Sequence, residues 1–489
     1  MIVLVILLIP FITGLLLLLI RNAATIKLMA LASAIVNLAA TLSLAFSTQA
    51  SSSYSVSWIN FLDINFALGY DGTSLIMLSL TSLLFPFIIM AGMKREQEHP
   101  GLLYALILFT QSALIGVFLA QNAFLFYIFW ELTLIPLYFI LLLWGGEGRR
   151  NITFKFFIYT LTGSLFLLFG IIYLYSLTPG LHTTDFSVFS QLNIPANTQV
   201  WLFWVLFIAF AIKMPVFPFH TWQPSTYTMA PTQGVMILAG VMTKMGIYGA
   251  LRFLFPIIPA GVLYWQNTVI ILSLIGVIYA SVIAFRQTNL KTLIAFSSMA
   301  HISLMVAAMF VLNYYALQGL LFQVLSHGIT IVALFYVVML IEEKTGTLEL
   351  PKMGGIKLLA PYMAILFLLI VLGSVALPLT AGFVGEFLII TGLFQQSIWF
   401  ALFGGFTMVL GAIYMLYAYQ RVMLGEKRPD LENITDLKRI DYIVLIPLIT
   451  LILVLGIYPQ PVFNLVETSV NTMQNLLVPV ADVLPSLPL

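Results

Sequence analysis

Apolar residues occur along the chain in runs of about 20, which is the length a helix needs to cross the hydrocarbon core of a bilayer. The first run is followed by Arg21 and not by a small-residue cleavage site, so we expect it to be retained as a helix. The pattern predicts an all-α integral membrane protein with about fourteen transmembrane helices. The runs begin near Ile2, Ile26, Ser74, Leu102, Ala123, Phe154, Val200, Gly234, Thr268, Thr292, Ala316, Leu358, Trp399 and Asp441.

Two of these spans contain internal Pro and Gly, and we predict broken helices near 213–233 and 376–386. Proline removes a backbone donor and clashes with the preceding turn. Paired interrupted spans are typical of transporters built from inverted repeats. The predicted organisation has four parts: N-terminal helices 1–3 (1–100), a first five-helix repeat of helices 4–8 (101–255), a second of helices 9–13 (262–425), and a last helix with an outer-surface tail (440–489).

The tail is predicted to contain one further helix, over residues 461–480. Its apolar positions recur at spacings of three and four, which is typical of an amphipathic helix. Such a helix either lies on the outer membrane surface or packs against a neighbouring subunit, and the pattern leaves both open. The apolar positions are Phe463, Val466, Val470, Met473 and Leu477.

Composition agrees with a membrane location, because 61% of the 489 residues are hydrophobic and only 8% are charged. Soluble domains carry roughly 25% charged residues. The chain has no cysteine, which excludes disulfides, Cys-ligated zinc and iron–sulfur clusters within it. The net charge of +2, with scattered basic residues, does not favour nucleic-acid binding. No dinucleotide or phosphate-binding motif occurs either, so any driving energy must come from elsewhere.

Most of the 20 basic residues fall in alternate loops, whereas the intervening loops, such as 47–72 and 179–199, have none. Positive loops lie on the cytoplasmic side. We therefore expect both termini of this multi-pass protein on the non-cytoplasmic side of the plasma membrane.

A few ionisable residues lie inside the apolar spans, namely Glu131, Lys213, Lys244 and Glu386. An unpaired charge at this depth costs several kcal/mol, so each needs a partner or must become neutral. Both cations are lysine, which can release its proton when buried, whereas arginine stays charged. The pattern therefore favours proton transfer over the alternative, a permanent ion pair that holds helices together.

Three histidines lie at or near the same depth: His220, His301 and His327. Histidine titrates near neutrality and suits proton relay, although a single buried histidine is more often a hydrogen-bonded core residue. His220 follows the first helix break, where it either relays protons or caps the broken helix end. The histidines fall on different helices without a carboxylate at ligand spacing, so we expect no metal site.

These motifs resemble those of the antiporter-like subunits of proton-pumping NADH:quinone oxidoreductase, respiratory complex I. The resemblance is strong over about residues 100–425 and covers the whole chain in layout. It implies fourteen helices with two inverted five-helix repeats. The matching motifs are FWELTLIPLYF, AIKMPVFPFHTW, GVMTKMGIYGALRF, LKTLIAFSSMAHIS, QVLSHGITIVALF and LPLTAGFVGEF.

Glu386 separates the types within this family. The L-type and N-type subunits and the sodium/proton antiporters carry lysine at the matching position, whereas the M type has glutamate. The chain also ends soon after its last predicted span, without the long lateral helix of the L type. Both features are similar to the M type. The family commonly has an acid and a histidine where this chain has Ser225 and Tyr227, which weakens a proton entrance through those side chains.

The resemblance also implies roles and partners. Glu131 and Lys213 would form the ion pair whose opening tunes the lysine, Lys244 would be the central relay, and His301 with His327 would lead to Glu386. Flavin, iron–sulfur clusters and quinone are expected in partner subunits and no cofactor in this chain. The expected membrane partners are the L-type and N-type subunits.

Three alternatives remain open. The chain could belong to a multisubunit sodium/proton antiporter, which Glu386 counts against. It could belong to a proton-pumping hydrogenase or a ferredoxin-linked plastoquinone reductase, which share nearly all motifs. A structural scaffold is the least favoured, since it has no use for buried lysines in broken helices.

Overall fold

The fold is almost entirely helical, and the computed structural model describes residues 1–45, 53–94, 96–180, 182–426 and 434–481. Its α-helices are α1 Ile2–Leu17, α2 Ala23–Ala45, α3 Gly72–Met93, α4 Pro100–Leu119, α5 Ala123–Trp144, α6 Arg149–Leu177, α7 Phe186–Phe189, α8 Ala196–Lys213, α9 Gln223–Met229, α10 Thr232–Ile237, α11 Thr243–Ile257, α12 Pro259–Phe285, α13 Leu290–Val311, α14 Tyr314–Thr345, α15 Pro361–Ser374, α16 Ala381–Gln396, α17 Ile398–Met423, α18 Arg439–Ile457 and α19 Gln460–Ala481.

Twelve helices of the described residues are long and apolar enough to cross a membrane, with α10 and α11 counted as one through the π-helical turn Leu238–Met242. Two further predicted spans coincide with shorter apolar helices, α1 and α15. The many-helix membrane fold is therefore confirmed, whereas the count of fourteen stays a prediction. The repeat boundaries also stay a prediction.

A small β-hairpin follows α2, where the sequence indicated only a serine-rich loop. Its strands β1 (Tyr54–Ile59) and β2 (Ile64–Leu68) pair antiparallel. The amide of Gly69 donates to the carbonyl of Leu119 over 2.8 Å, which fastens the hairpin to the end of α4. The turn contains Asp63 in the left-handed conformation, with φ of 48°, a state that Asp tolerates better than most residues.

Both predicted helix breaks are present. The first separates α8, which ends at Lys213, from α9, which begins at Gln223. The second lies between Ser374 and Ala381 and is shorter than the predicted 376–386. Pro378 is the last proline of this segment, so nothing prevents the backbone from resuming a helix soon after it. Glu386 consequently lies inside α16.

The chain forms two compact units. The first contains Met1–Met214, Val241–Asn267 and the chain from Leu465 onward. Its core consists of α3, α4 and α11, which are buried on nearly all sides. Helices α2 and α6 expose large apolar side chains such as Ile35 and Phe169, as expected of surfaces that face lipid or another subunit.

The second unit contains Pro215–Gly240 and Thr268–Asn464. Its core is formed by α13 and α14, which are buried along almost their whole length. A helix that is hydrophobic all round belongs in the interior of a bundle. Polar side chains on α13 and α14 are therefore shielded by protein.

The predicted tail helix is confirmed as α19. Val466 and Val470 are fully buried, and the hydroxyl of Ser469 accepts the amide of Thr73 over 3.2 Å. One face of α19 therefore packs on this chain itself, at the start of α3. The side chain of Leu477 lies outside the described residues.

Candidate functional site

Lys213 is the last residue of α8 and is 3% exposed. The helix ends here because Pro215 and Pro218 follow within five residues and cannot donate to the helix. The last carbonyls of a helix lack backbone partners and carry the negative end of its dipole. A cation at this position is therefore partly stabilised without a carboxylate. The Nζ atom also lies 5.1 Å from the centre of the Trp130 ring, a cation–π distance.

Glu131 directly follows Trp130 on α5 and acts electrostatically on Lys213. In the part of the chain that the structure describes, no salt bridge within 4.0 Å joins the two groups. Glu131 is also only partly buried, beside the exposed side chains of Leu132 and Ile135. The carboxylate thus lies near the surface of this chain rather than in its core, because its position on α5 faces outward.

Lys244 lies in the first turn of α11, just after the π-helical turn, and is completely buried. Glycines allow α11 to approach α8 closely. A Cβ at Gly246 would lie 2.5 Å from Cγ of Met214, and one at Gly249 would lie 2.5 Å from the Phe210 ring. Small residues such as these two glycines permit close helix packing in membranes. Lys213 and Lys244 are therefore carried by two tightly packed helices of the first unit.

The second unit brings three predicted residues together. The Nδ1 atom of His301, on α13, lies 2.7 Å from Oε1 of Glu386, on α16. The rings of His301 and His327 have centroids 5.6 Å apart. All three side chains are at most 6% exposed. The contact between His301 and Glu386 is within reach of direct proton transfer.

Gln323 completes this cluster, and its amide donates to Oε1 of Glu386 over 3.2 Å. Glycine makes the contact possible, because a Cβ at Gly385 would lie 2.2 Å from Oε1 of Gln323. A Cβ at Gly319 would lie 2.8 Å from the amide of Ile389. Helices α14 and α16 therefore meet nearly backbone to backbone, which places the Gln323 amide on the carboxylate.

A cavity of about 20 Å³ adjoins the two histidines, which is enough space for one or two water molecules. The hydroxyls of Ser298, Ser326 and Thr330 line it and are buried without a protein partner. Buried polar groups of this kind are ordinarily satisfied by ordered water. The complete lining is Ser297, Ser298, His301, Gln323, Ser326, His327, Thr330, Ile331, Leu334, Gly373, Ser374 and Gly382.

His220 lies in the segment between α8 and α9 and is 5% exposed. Its ring stacks on Phe217 at 5.7 Å and meets Tyr279 edge-on at 5.1 Å. Its carbonyl accepts the amide of Gln223 over 2.9 Å at the start of α9. The structure thus places the His220 ring against two aromatic rings.

The two residues that depart from the family pattern, Ser225 and Tyr227, both lie on α9. Tyr227 is fully buried, and its ring packs against Phe335 at 6.0 Å. The hydroxyl of Ser225 donates to the carbonyl of Trp222 over 3.3 Å, within its own helix.

The sequence does not reveal the contacts of two residues, Trp130 and Lys291. Trp130 contacts Lys213, but a tryptophan in an apolar span carries no signal that marks it as a cation partner. The other residue is Lys291, which is 8% exposed and donates from Nζ to the carbonyl of Ala230 over 2.6 Å. Its position in the first turn of α13 turns it inward onto the end of α9.

Broken helices beside buried Lys, Glu and His side chains define an integral membrane protein of the ion-translocating class. The chain belongs to the NADH:quinone oxidoreductase/Mrp antiporter transmembrane family, whose model matches residues 120–411.

Curated relatives agree with this assignment. The chain is 40% identical to NADH-quinone oxidoreductase subunit M of Rickettsia bellii, over 86% of this chain and 85% of that protein. It is 36% identical to subunit M of Rhodobacter capsulatus, over 86% and 83%. It is 35% identical to NADH-ubiquinone oxidoreductase chain 4 of Marchantia polymorpha, over 86% and 84%. The predicted resemblance to the M-type membrane subunit of NADH:quinone oxidoreductase is confirmed.

Solved structures share the fold over nearly the whole length. A chain of respiratory complex I from Thermus thermophilus superimposes with a TM-score of 0.91 at 26% identity, covering 98% of this chain and 100% of that one. A chain of the Mrp complex from Dietzia gives a TM-score of 0.83 at 20% identity, covering 97% and 99%. The second likeness shows a common fold alone.

Proposed function

We propose that this chain translocates protons as an M-type subunit of NADH:quinone oxidoreductase and that its buried Lys, His and Glu side chains carry the protons. The observation that supports this most directly is the 2.7 Å contact between the buried side chains of His301 and Glu386. A base and an acid at this distance can exchange one proton by a small motion. Neither group has lipid as its neighbour, so the proton stays within protein.

In the second unit, the proton alternates between His301 and Glu386. When His301 is protonated, Glu386 is its counter-charge. When the proton moves to Glu386, both groups are neutral and the burial cost of charge disappears. Gln323 donates to the same carboxylate oxygen and keeps it in place. The hydroxyl-lined cavity beside His327 supplies the water contacts through which a proton enters or leaves this pair.

In the first unit, Lys213 and Lys244 are the carriers. The helix end and the Trp130 ring stabilise the Lys213 ammonium, and burial opposes it. Because these influences oppose one another, movement of Glu131 toward or away from the lysine decides whether the proton is held. Lys244 is the next carrier, on the adjacent helix. His220 is assigned a secondary relay role.

The surroundings of the chain follow from the same assignment. It spans the plasma membrane with both termini on the non-cytoplasmic side, in agreement with the alternate basic loops. The L-type and N-type subunits are its neighbours. Flavin, iron–sulfur clusters and quinone reside in other subunits, and their redox chemistry supplies the energy.

The test is Glu386→Gln in the assembled complex, reconstituted in proteoliposomes. We expect NADH-driven proton uptake per quinone reduced to fall by the whole share of this subunit, because Gln cannot take the proton. NADH–ferricyanide activity reports on the integrity of the redox subunits and should stay unchanged. Wild-type proton uptake in an assembled Glu386→Gln complex would refute the proposal, and sodium-dependent transport would favour the antiporter alternative.

A further inference from the structure

One buried polar network lies outside the predicted proton carriers, at the end of the first unit where α3 begins and α11 ends. It consists of Asp71, Ser74, Tyr248 and Arg252, together with the carbonyl of Phe118 at the end of α4. Tyr248 and Ser74 are fully buried. An arginine held partly buried in a membrane protein is costly, so this network calls for an explanation.

The network continues the line of Lys244 along α11. Residues four apart lie on one face of a helix, so Lys244, Tyr248 and Arg252 form a column from the membrane-depth lysine to the helix end. Asp71 is the outermost member, since its side chain is 42% exposed and that of Arg252 is 23% exposed. The network therefore lies between Lys244 and the membrane surface at the end of α11.

Every member is fixed by hydrogen bonds. Arg252 donates from Nη2 to Asp71 and to Ser74, each over 2.8 Å, and from Nε to Tyr248 over 3.0 Å. The Tyr248 hydroxyl donates to the carbonyl of Phe118 over 3.0 Å. The second carboxylate oxygen of Asp71 accepts the amide of Ser74 over 2.8 Å and so caps α3.

This arrangement is unsuited to carrying protons. A relay needs groups that both accept and donate a proton, and a guanidinium has donors only and keeps its charge. The Tyr248 hydroxyl is also occupied, because it donates a hydrogen bond to a backbone carbonyl and accepts one from Arg252. The positive member of the Arg252–Asp71 pair faces inward, toward Lys244. Fixed positive charge excludes protons and cations from membrane pores.

We propose that Arg252, held by Asp71, Ser74 and Tyr248, is an electrostatic seal that stops protons passing between Lys244 and this membrane surface. The inference rests on the proposed role of Lys244 as a proton carrier. A proton on Lys244 then has no exit at this end and must leave by another route. The seal prevents the imposed gradient from driving protons back through the first unit.

The test uses the assembled complex in proteoliposomes and measures how fast an imposed pH gradient decays without NADH. We expect Arg252→Gln to speed this decay at least threefold and to lower the gradient sustained by NADH oxidation. The double variant with Lys244→Ala should leak no faster than wild type, because the carrier behind the seal is missing. The matched control is Arg286→Gln, since Arg286 is an exposed arginine in a loop, and it should not leak.

A second variant keeps the proposal falsifiable if Arg252→Gln does not assemble. Asp71→Asn retains the cap of α3 and leaves Arg252 in place, bonded to Ser74 and Tyr248, so it should stay tight. A leak in the assembled Asp71→Asn complex overturns the seal, because the charge of Arg252 is still present.

The remaining outcomes are also decisive. Wild-type tightness of an assembled Arg252→Gln complex overturns the seal, and so does loss of pumping without a leak, which would make the network a proton route. If Lys244 is not a proton carrier, the Lys244→Ala variant alone would pump normally. This result distinguishes failure of the proposed function from failure of the seal. A leak in Arg252→Gln that Lys244→Ala abolishes supports both proposals.

Discussion

The ring of Trp130 lies 5.1 Å from the ammonium of Lys213, at the end of a broken helix, while the adjacent Glu131 makes no direct salt bridge with that lysine. The lysine therefore has a neutral partner in contact and a charged partner at longer range. A neutral partner stabilises the ammonium without fixing it permanently, as a close carboxylate would.

Replacing Trp130 tests how much its ring stabilises the Lys213 ammonium. A cation–π contact contributes on the order of 1 kcal/mol, more when desolvated, so we expect Trp130→Leu to reduce this subunit's share of NADH-driven pumping several-fold. Trp130→Phe keeps an aromatic face and should reduce it less. Pumping in membrane vesicles, normalised to assembled complex, measures both. Equal pumping by the Leu and Phe variants would show that the ring acts only by filling space.

Lys244→Arg tests whether this position must release its proton. Arginine keeps its proton under all these conditions, so we expect the variant to assemble but to lose this subunit's share of pumping. Quinone reduction and proton uptake should be recorded in the same vesicles. If Lys244→Arg pumps like wild type, the lysine is a fixed counter-charge.

Gly385→Ala should disrupt the Glu386 cluster without changing any titratable group. The added Cβ would lie 2.2 Å from Oε1 of Gln323, so the Gln323 amide must leave Glu386. We expect this subunit's share of the pumping to fall several-fold at a normal level of assembled complex. Gly405→Ala on α17 is the control, since its Cβ would meet nothing within 4 Å. Similar losses in the two variants would contradict the packing argument.

Asp185, in the loop before α8, offers a prediction with a defined pH dependence. Burial, and secondly the charge of Asp63, raise the pKa of Asp185 above its usual value of 3.8. The folded loop therefore binds the proton more tightly than the unfolded chain, and its stabilisation is lost as the pH rises above that value. We expect Asp185→Asn to slow hydrogen exchange in the loop at pH 7, with a smaller effect near pH 4. Hydrogen exchange of the loop in the assembled complex measures this, and a larger effect at the lower pH would reverse the assigned sign.

Lys291→Met should loosen the end of α9, because it removes the 2.6 Å bond from Nζ to the carbonyl of Ala230. Leaving a buried acceptor unsatisfied costs about 1–3 kcal/mol. Faster hydrogen exchange at Ala230 and Thr232 would follow, with Arg286→Met as the control. Unchanged exchange at these amides would mean that the bond does not hold α9 in place.

The sequence identifies candidate site residues where a charged side chain falls inside an apolar span. Lys213, Lys244 and Glu386 were identifiable because charged residues in apolar spans are rare and costly. The helix breaks were visible through Pro215 and Pro378, since proline acts locally. The contact between His301 and Glu386 was less accessible, because it joins residues that are 85 positions apart along the chain and depends on glycines such as Gly385 for helix approach. The burial of Lys291 was hidden for a related reason, because it depends on where α9 ends in space.

The outward position of Glu131 has a consequence for biogenesis. The carboxylate is partly exposed on a face whose neighbours, Leu132 and Ile135, are 42% and 50% exposed. A newly inserted chain with no neighbour on this face presents this polar side chain to lipid, which is costly. Docking of a subunit onto this face shields Glu131 from lipid. Assembly of the complex then stabilises the chain in the membrane as well as completing the pump.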